Sequence, residues 1–389
     1  MTGWSFMTSS RRGGPGVSGD GPCRGFDASA GSTHNLVVSL VPGASRVLEF
    51  GCAAGYMSEV LKARLGCSVT AIEVSPEAAE LAGAHCDRIV VGDAETLDFQ
   101  RLFGADRFDA VVFADVLEHL REPGAVLQRV RPFLAEGGVV VASMPNIAHG
   151  SVRLALLGGE FRYRHAGLLD RTHLRFFTRE TVQDLFEASG YAVTHWLRRR
   201  LGIEESEVGP PGRPVPEAIR EWLAADPEAT TYQFVVRAVK SEAAPTIHQL
   251  RAELQEARIA HQWGERARRA ARELATIVRP GEPFVLIDED RIRAELGVDQ
   301  RALPFPERGG QYGGLPPDDA TAIEEVERLR QGGARFVVVA WPAFWWLEFY
   351  VGLGRHLGSR YHRILDTDRL VIFDLRPGHR VADEERPAG

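Results

Sequence analysis

Short apolar runs alternate with stretches of helical periodicity from residue 33 to residue 240. Arg46–Phe50, Ser68–Glu73, Arg88–Val91, Phe108–Phe113 and Gly138–Ser143 are brief and rich in β-branched or aromatic residues, and turn-forming residues follow each of them. Such runs predict buried strands. Between them, Tyr56–Leu65, Pro76–Ala84, Pro123–Leu134 and Arg179–Ser189 predict helices, with Ser75 and Thr178 placed to cap two of them. Tyr191–Leu197 and Tyr232–Val239 read as closing strands, and Gly202–Pro216 as an inserted loop. Strand–helix alternation of this kind predicts an α/β fold around a parallel sheet.

The pattern changes after a linker near Ser241–Pro245. Ile247–Val278 is one long helical stretch whose apolar positions run Ile247, Leu250, Leu254, Ala257 and then restart at Trp263 with the phase slipped. A docking helix and a short coiled-coil seam both fit, and the lack of sustained heptads favours docking. A second, smaller α/β unit follows, with strands at Phe284–Asp288, Arg335–Ala340, His362–Leu365 and Leu370–Leu375 and helices at Asp319–Gln331 and Ala343–Leu357. Phe336–Gly354 imitates a membrane span, but Pro342 and Glu348 interrupt it, and a buried strand running into an aromatic helix accounts for it.

With 389 residues the chain has room for two domains, and 44% apolar against 25% charged residues is a globular balance. The net charge of −7 provides no global field for nucleic acid. Four cysteines without a CxxC pair are no disulfide framework and point to a reducing, cytoplasmic setting. The first residues, rich in Gly and Ser, lack the apolar centre of a signal peptide and read as a flexible leader.

The strongest chemical signal is Val47-Leu48-Glu49-Phe50-Gly51-Cys52-Ala53-Ala54-Gly55, an apolar strand ending in an acid and a glycine turn before a helix. Glycines there allow a tight turn and a close approach of backbone to ligand. A dinucleotide fingerprint would read G-x-G-x-x-G, and a phosphate loop would end in G-K-[ST]. Neither is present. A carboxylate two residues before the first glycine disfavours a pyrophosphate and suits a sulfonium or an ammonium. Glu73, ending the second strand, can accept from a ribose diol. Asp93 can accept from an adenine amino group, with Ala94 leaving room for the ring. Asp115-Val116-Leu117-Glu118-His119 follows the fourth strand, where the substrate edge of a cleft is expected.

The ordered set LEFGCAAG, AIEVS, VGDAE, FDAVVFADVLEHL and LAEGGVVVASMPN resembles class I S-adenosylmethionine-dependent methyltransferases. The continuation FRYRHAGLLDRTHLRFFTRETVQDLFEASGY is similar to the small-molecule branch that includes ubiquinone-type O-methyltransferases and glycan-pathway relatives. The resemblance implies a Rossmann-like, seven-stranded domain over residues 32–240, after a leader at 1–31. A linker and long helix at 241–280, a small α/β domain at 281–378 and a tail at 379–389 complete the expected organisation. It further implies that Glu49, Gly51 and Gly55, with Cys52 and Ala53 between them, bound the methionine end of S-adenosyl-L-methionine. Glu73 and Val74 would hold the ribose, Asp93 and Ala94 the adenine, and Asp115 would pass the cofactor toward the substrate. Ala53 stands where many relatives have glycine, which is tolerable if its φ stays negative.

The methyl donor is already activated, so alignment supplies much of the acceleration, and a hydroxyl acceptor gains from a base. His173, oriented by Asp170, is the first candidate and His149 the second; His165 is a further neighbour. A role in holding the loop competes with the base role for His173. No Asn/Asp-Pro-Pro-Tyr/Phe tetrad follows the fourth strand, which argues against a base-modifying DNA enzyme. The expected acceptor is a sugar or secondary-metabolite hydroxyl, with no nucleic-acid or membrane partner and no assigned metal ligands. Self-association through the long helix or the second domain, and a part in substrate selection, are the roles open to those segments.

Asp288-Glu289-Asp290 has the form of a metal-holding DxD, although capping explains it more simply. The aromatic run Trp341–Tyr350 fits core, or a stacking face for a sugar. A nucleotide-sugar transferase or accessory subunit working through the second domain, and a non-catalytic cofactor-binding scaffold, are the competing functions. The loop Ala302–Gly314 suits a lid or a plain excursion, and the arginines at 198–200 and along the long helix read as solvated faces.

Overall fold

The computed structural model describes residues 25–29, 31–209, 214–297 and 302–376. Most of the expected leader and the whole of the expected tail lie outside the described residues. The chain forms two compact units, the first running to Arg251 and the second from Ala252.

The first unit carries seven strands: β1 (Arg46–Phe50), β2 (Ser68–Glu73), β3 (Arg88–Val91), β4 (Phe108–Ala114), β5 (Leu134–Pro145), β6 (Tyr191–Arg200) and β7 (Thr231–Lys240). Its helices are α1 (Thr33–Leu40), α2 (Tyr56–Leu65), α3 (Pro76–Ala82), α4 (Phe99–Phe103), α5 (Pro123–Val130), α6 (Gly150–Leu157), α7 (Arg179–Ala188) and α8 (Glu217–Ala224). The strands pair in the order β3-β2-β1-β4-β5-β7-β6. β1 to β5 are mutually parallel, and β7 is inserted antiparallel between β5 and β6.

Both sheet faces are buried, as parallel strands require. Leu48, Phe50, Val111, Phe113, Val140 and Phe234 fill one face, and Val47, Val112, Val141 and Val235 fill the other. The alternation follows the two-residue period of a strand. Phe50 and Phe113 stack with ring centroids 4.4 Å apart. Register aligns the strand ends: Phe50 lies opposite both Ile72 and Phe113, and Glu73 lies opposite Val91. The loops after β1, β2, β3 and β4 therefore leave at one edge, and that edge carries the site.

Ser75 and Thr178 cap α3 and α7 as expected, and Thr178 forms a reciprocal capping box with Thr181. The sequence reading missed α1, α4, α6 and α8. Each is eight residues or shorter, so its periodicity spans barely two turns.

The helix after β7, α9 (Ala244–Ile277), begins after only three connecting residues, and its turns up to Arg251 belong to the first unit. The second unit contains the rest of α9 and a five-stranded sheet. Its strands are β8 (Phe284–Ile287), β9 (Ala302–Pro304), β10 (Glu307–Arg308), β11 (Gln311–Tyr312), β12 (Phe336–Ala340), β13 (His362–Asp366) and β14 (Leu370–Asp374). The sheet order is β13-β14-β12-β8-β9, and β10 and β11 form a separate hairpin within the 302–314 loop. The helices are α10 (Asp319–Gln331), α11 (Trp345–Phe349) and α12 (Val351–Arg360). The single helix expected over Ala343–Leu357 is broken at Tyr350, whose hydroxyl donates to the Pro316 carbonyl at 2.7 Å. Trp346 is wholly buried in this core, whereas Phe349 is largely exposed. The apolar stretch from Phe336 is thus strand and short helices, and among the described residues no helix is long and apolar enough to cross a membrane.

Candidate active site

The turn after β1 is built from backbone geometry that only a few residues accept. Gly51 has φ +67, and a Cβ there would lie 2.7 Å from Val116 Cγ2. Gly55 has φ +82, with α3 so close that a Cβ would meet Ala82 Cα at 3.0 Å. Ala53 also adopts a positive φ of +48, so the condition under which alanine replaces glycine without strain is not met. The strain of alanine in this region is opposed by Glu73, whose Oε2 accepts the Ala53 amide at 2.9 Å. Glu73 Oε1 accepts the Ser75 amide at 2.9 Å. Each oxygen keeps a further lone pair for a hydroxyl donor. The carboxylate thus fixes the turn while remaining able to accept from a diol.

Glu49 is buried beneath this turn, and its Oε2 accepts from Ser58 Oγ on α2. Burial pushes its carboxyl up to about 7, against the lowering effect of Ser58; Cys86 and Glu73 add to the rise. Ser58 Oγ also meets Cys86 Sγ at 3.3 Å. Cys52 is buried, its thiol donating to the Ala53 carbonyl at 3.7 Å. The neighbouring Cys52 thiol draws Cys86 down to about 7, and Cys86 together with burial pushes Cys52 above the ordinary thiol range.

Val74 is exposed at the same edge, as is Val91 at the end of β3. They offer an apolar surface beside Glu73. Asp93 is exposed, its Oδ1 accepting the Glu95 amide at 2.8 Å, and Ala94 is half-buried. Asp115 closes β4 with φ +53. Its Oδ1 accepts from Ser143 Oγ at 2.6 Å and from Gln233 Nε2 at 2.9 Å, which ties β4 to β5 and β7. Ser143 and Gln233 were not marked by the sequence, because isolated polar residues inside apolar strands carry no pattern.

Past Asp115, the short helical turn Leu117–His119 brings Glu118 inward. Glu118 is buried with Oε2 unpartnered among the described residues, and burial holds its carboxyl well above the usual range, with Asp115 adding to the effect. The Glu118 carbonyl accepts the amides of Leu174 and Arg175 at 2.8 and 3.0 Å, which docks the loop carrying His173 against this turn. The rings of His119 and His173 meet edge to face at 4.9 Å. His173 Nδ1 is buried and has no partner among the described residues, and burial lowers the ring's affinity for a proton, with His119 acting in the same sense. One carboxylate oxygen and one nitrogen from each of the two rings lie within 4.8 Å of one another. A carboxylate with two imidazoles is a donor set suited to a divalent transition metal. The sequence reading assigned no metal ligands; adjacent Glu-His was the available signal, but its partner lies 54 residues downstream. A similar group, Asp184, Glu187 and His248, already has Arg251 paired to both acids at 3.7 and 2.9 Å.

The other candidate residues are placed differently. Asp170 Oδ1 accepts from the Thr172 amide and hydroxyl at 2.8 and 2.7 Å, so this oxygen stabilises its own turn. Asp170 reaches His173 through its backbone carbonyl, which accepts the His173 amide at 3.1 Å. His149 is completely buried at the start of α6. Its Nδ1 meets Ser151 Oγ at 2.8 Å and its Nε2 meets the Leu201 carbonyl at 3.1 Å, so both nitrogens are occupied. His165 is exposed. The arginines at 198–200 are not a solvated face. Arg198 forks onto Glu228, Arg199 donates to Gln233 and Arg200 binds the Pro227 carbonyl.

In the second unit, Asp288 accepts the amides of Asp290 and Ile292 at 3.1 Å each, which holds the turn after β8; the short helix expected there is not formed among the described residues. Glu289 Oε1 accepts from the indole nitrogens of Trp345 and Trp346. Glu289 is therefore engaged in holding the aromatic run, and Asp288 in holding the turn.

A sheet of this order, with acids and glycines at the carboxyl ends of its parallel strands, defines a nucleoside-binding α/β domain of the methyltransferase type. Residues 31–196 match the family described as Methyltransferase domain. The ubiquinone biosynthesis O-methyltransferase of Xanthomonas axonopodis pv. citri (strain 306) is 29% identical over 180 residues, 43% of this chain and 75% of that protein. Its counterpart from Xanthomonas campestris pv. campestris (strain B100) is 29% identical over 202 residues, 49% of this chain and 84% of that protein. Magnesium protoporphyrin IX methyltransferase from Synechocystis PCC 6803, solved with bound S-adenosylhomocysteine, superposes with TM-score 0.37 at 17% identity, covering 54% of this chain and 82% of that one. The first unit is an S-adenosylmethionine-dependent methyltransferase domain, distantly homologous to the ubiquinone biosynthesis O-methyltransferases. It acts on small molecules, with S-adenosylmethionine as cosubstrate.

Proposed function

We propose that the first unit methylates an oxygen nucleophile, a hydroxyl of a sugar or secondary metabolite, presented against His173 at the end of β4. The observation that carries this reading is the pair of buried, unpartnered polar atoms, Glu118 Oε2 and His173 Nδ1, beside Asp115. An unsatisfied buried polar atom is costly unless a ligand completes it. In this reading Glu49 and the Gly51–Gly55 turn, with Cys52 and Ala53, enclose the methionine end. Glu73 and Val74 hold the ribose, and Asp93 with Ala94 borders the adenine.

The neutral His173 ring accepts the acceptor's proton as its oxygen attacks the sulfonium methyl carbon and the carbon–sulfur bond breaks. Asp170 contributes by holding the loop, and His149, with no free nitrogen, serves the fold. The O-methyltransferase activity for which the relatives are named favours oxygen over nitrogen.

A second reading is favoured by the clustering of Glu118, His119 and His173. A divalent cation held by these three would lower the pKa of a bound hydroxyl and replace His173 as the means of activation. Labelled methyl transfer to catechols, sugars and amino sugars, read by mass spectrometry, tests the acceptor class. Label found only on nitrogen defeats the proposal. Chelation separates the two readings of activation. Turnover insensitive to chelator but lost in His173→Asn supports the base, and turnover restored only by added divalent metal supports the cation.

A further inference from the structure

Cys86 lies in the turn between α3 and β3, its amide donating to the Ala82 carbonyl at 3.1 Å. Its side chain packs on the small apolar cluster that Cys52, Ala71 and Ala82 form beside the β1–α2 turn. The same stretch of chain presses on that turn: a Cβ at Gly55 would meet Ala82 Cα at 3.0 Å and His85 Cβ at 3.1 Å. Two thiols far apart in the sequence are thereby brought together.

Their surroundings differ. Cys52 is 2% exposed, and its Sγ donates to the Ala53 carbonyl at 3.7 Å. Cys86 is half-buried, and its Sγ donates to Ser58 Oγ at 3.3 Å. The neighbouring Cys52 thiol draws Cys86 down to about 7, with Ser58 and the Lys62 ammonium acting in the same sense against burial. A sulfur that is partly ionised near neutral pH and open to solvent is the one that attacks oxidants. Cys67 is the contrast: it is buried in a separate cluster with Val37 and Leu61, and its Sγ donates to the Pro42 carbonyl at 3.6 Å.

We propose that Cys86 and Cys52 form an oxidation site at which a peroxide closes a reversible disulfide across the cosubstrate turn. The Cys86 thiolate attacks one peroxide oxygen and the O–O bond breaks, which leaves a sulfenic acid and, from hydrogen peroxide, hydroxide. The Cys52 sulfur then attacks the Cys86 sulfur. The S–S bond forms as the S–O bond breaks, and the oxygen leaves as water with the Cys52 proton. Two sulfurs are oxidised and the peroxide is reduced, and a thiol reductant reverses the step by exchange. The disulfide draws Cys52 away from the carbonyl of Ala53, the residue whose amide Glu73 holds at 2.9 Å. Closure thus disturbs the turn; its effect on the cosubstrate rests on the reading that this turn encloses the methionine end.

Reduced protein is treated with hydrogen peroxide, alkylated, digested with trypsin and read by mass spectrometry. Cys52 should be found linked to Cys86, with Cys67 alkylated; fragmentation separates Cys67 from Cys86, which share a tryptic peptide. Cys86→Ser keeps a small polar side chain beside Ser58 and should lose the link. In calorimetry, S-adenosylhomocysteine affinity should fall about tenfold or more on oxidation, the scale of one hydrogen bond to a charged group, and return with dithiothreitol. In Cys86→Ser, peroxide should change it by less than about twofold. A link between other cysteines, or Cys86 carried to the sulfinic acid while Cys52 stays free, overturns the oxidation site. A Cys52–Cys86 link that leaves affinity unchanged overturns its control of the turn. Failure of the reduced, unaltered protein to bind S-adenosylhomocysteine overturns the cofactor reading instead, and the link is still read by mass.

Discussion

Glu49 shows how burial and ligand charge work against each other at a single residue. Its carboxyl, pushed up to about 7 by desolvation, keeps a proton in the folded protein that the unfolded chain releases near its ordinary value of 4.5. Between those values the folded state binds more protons, so the contribution to stability is full below about 4.5 and is lost as pH rises through about 7. The loss at higher pH is on the order of 3 kcal/mol. Glu49→Gln should flatten this pH dependence in denaturant melts between about pH 4.5 and 7. A cation bound nearby favours the ionised carboxyl, so S-adenosylmethionine should release a proton on binding near pH 7. Calorimetry in buffers of different ionisation enthalpy reads that proton, and Glu49→Gln should abolish it. An unaltered protein with no proton release would remove Glu49 from the cofactor's surroundings.

Glu49 and Glu73 were legible in the sequence because each ends an apolar strand just before a turn, a local pattern. Glu118 with His173, and Gln233 with Asp115, were not. Their significance lies in contacts between residues 55 and 118 positions apart, which no window along the chain contains.

At the level of elements, the β1–α2 turn concentrates positive φ values at Gly51, Ala53 and Gly55. Gly55→Ala adds a Cβ in the left-handed region against Ala82, and should cost about 1–2 kcal/mol from backbone conformation alone. Ala53→Gly relieves the same strain but frees the unfolded chain, and should leave stability within about 1 kcal/mol of the parent. Chemical denaturation distinguishes the two; a Gly55→Ala protein as stable as the parent would contradict the crowding at α3. The major strands and the longer helices were readable from their periodicity, and the caps at Ser75 and Thr178 from residue type. The break at Tyr350 was not readable from periodicity: its ψ of 72 leaves the helical region, and its hydroxyl reaches the Pro316 carbonyl, 34 positions away.

For the whole molecule, every residue assigned here to the cosubstrate lies in the first unit. S-adenosylhomocysteine should therefore slow amide exchange around Gly51–Gly55, Gly92–Leu97 and Asp115–His119, and leave β8, β12 and β14 unchanged. Protection of the second sheet instead would assign it a share in binding. The α/β character of both units was legible from strand–helix alternation. The role of the second was not, because its most suggestive residues, Asp288 to Asp290 and the tryptophans, largely bind the chain itself.

Asp93 stands in the open at the rim, with half-buried Ala94 beside it. A purine seated there would turn its exocyclic nitrogen outward. A tether grown from that nitrogen should pass into water, so the protein should be retained on a resin bearing the nucleoside through its N6 atom and released by free S-adenosylhomocysteine. Tethering through the ribose oxygens, which Glu73 would claim, should fail.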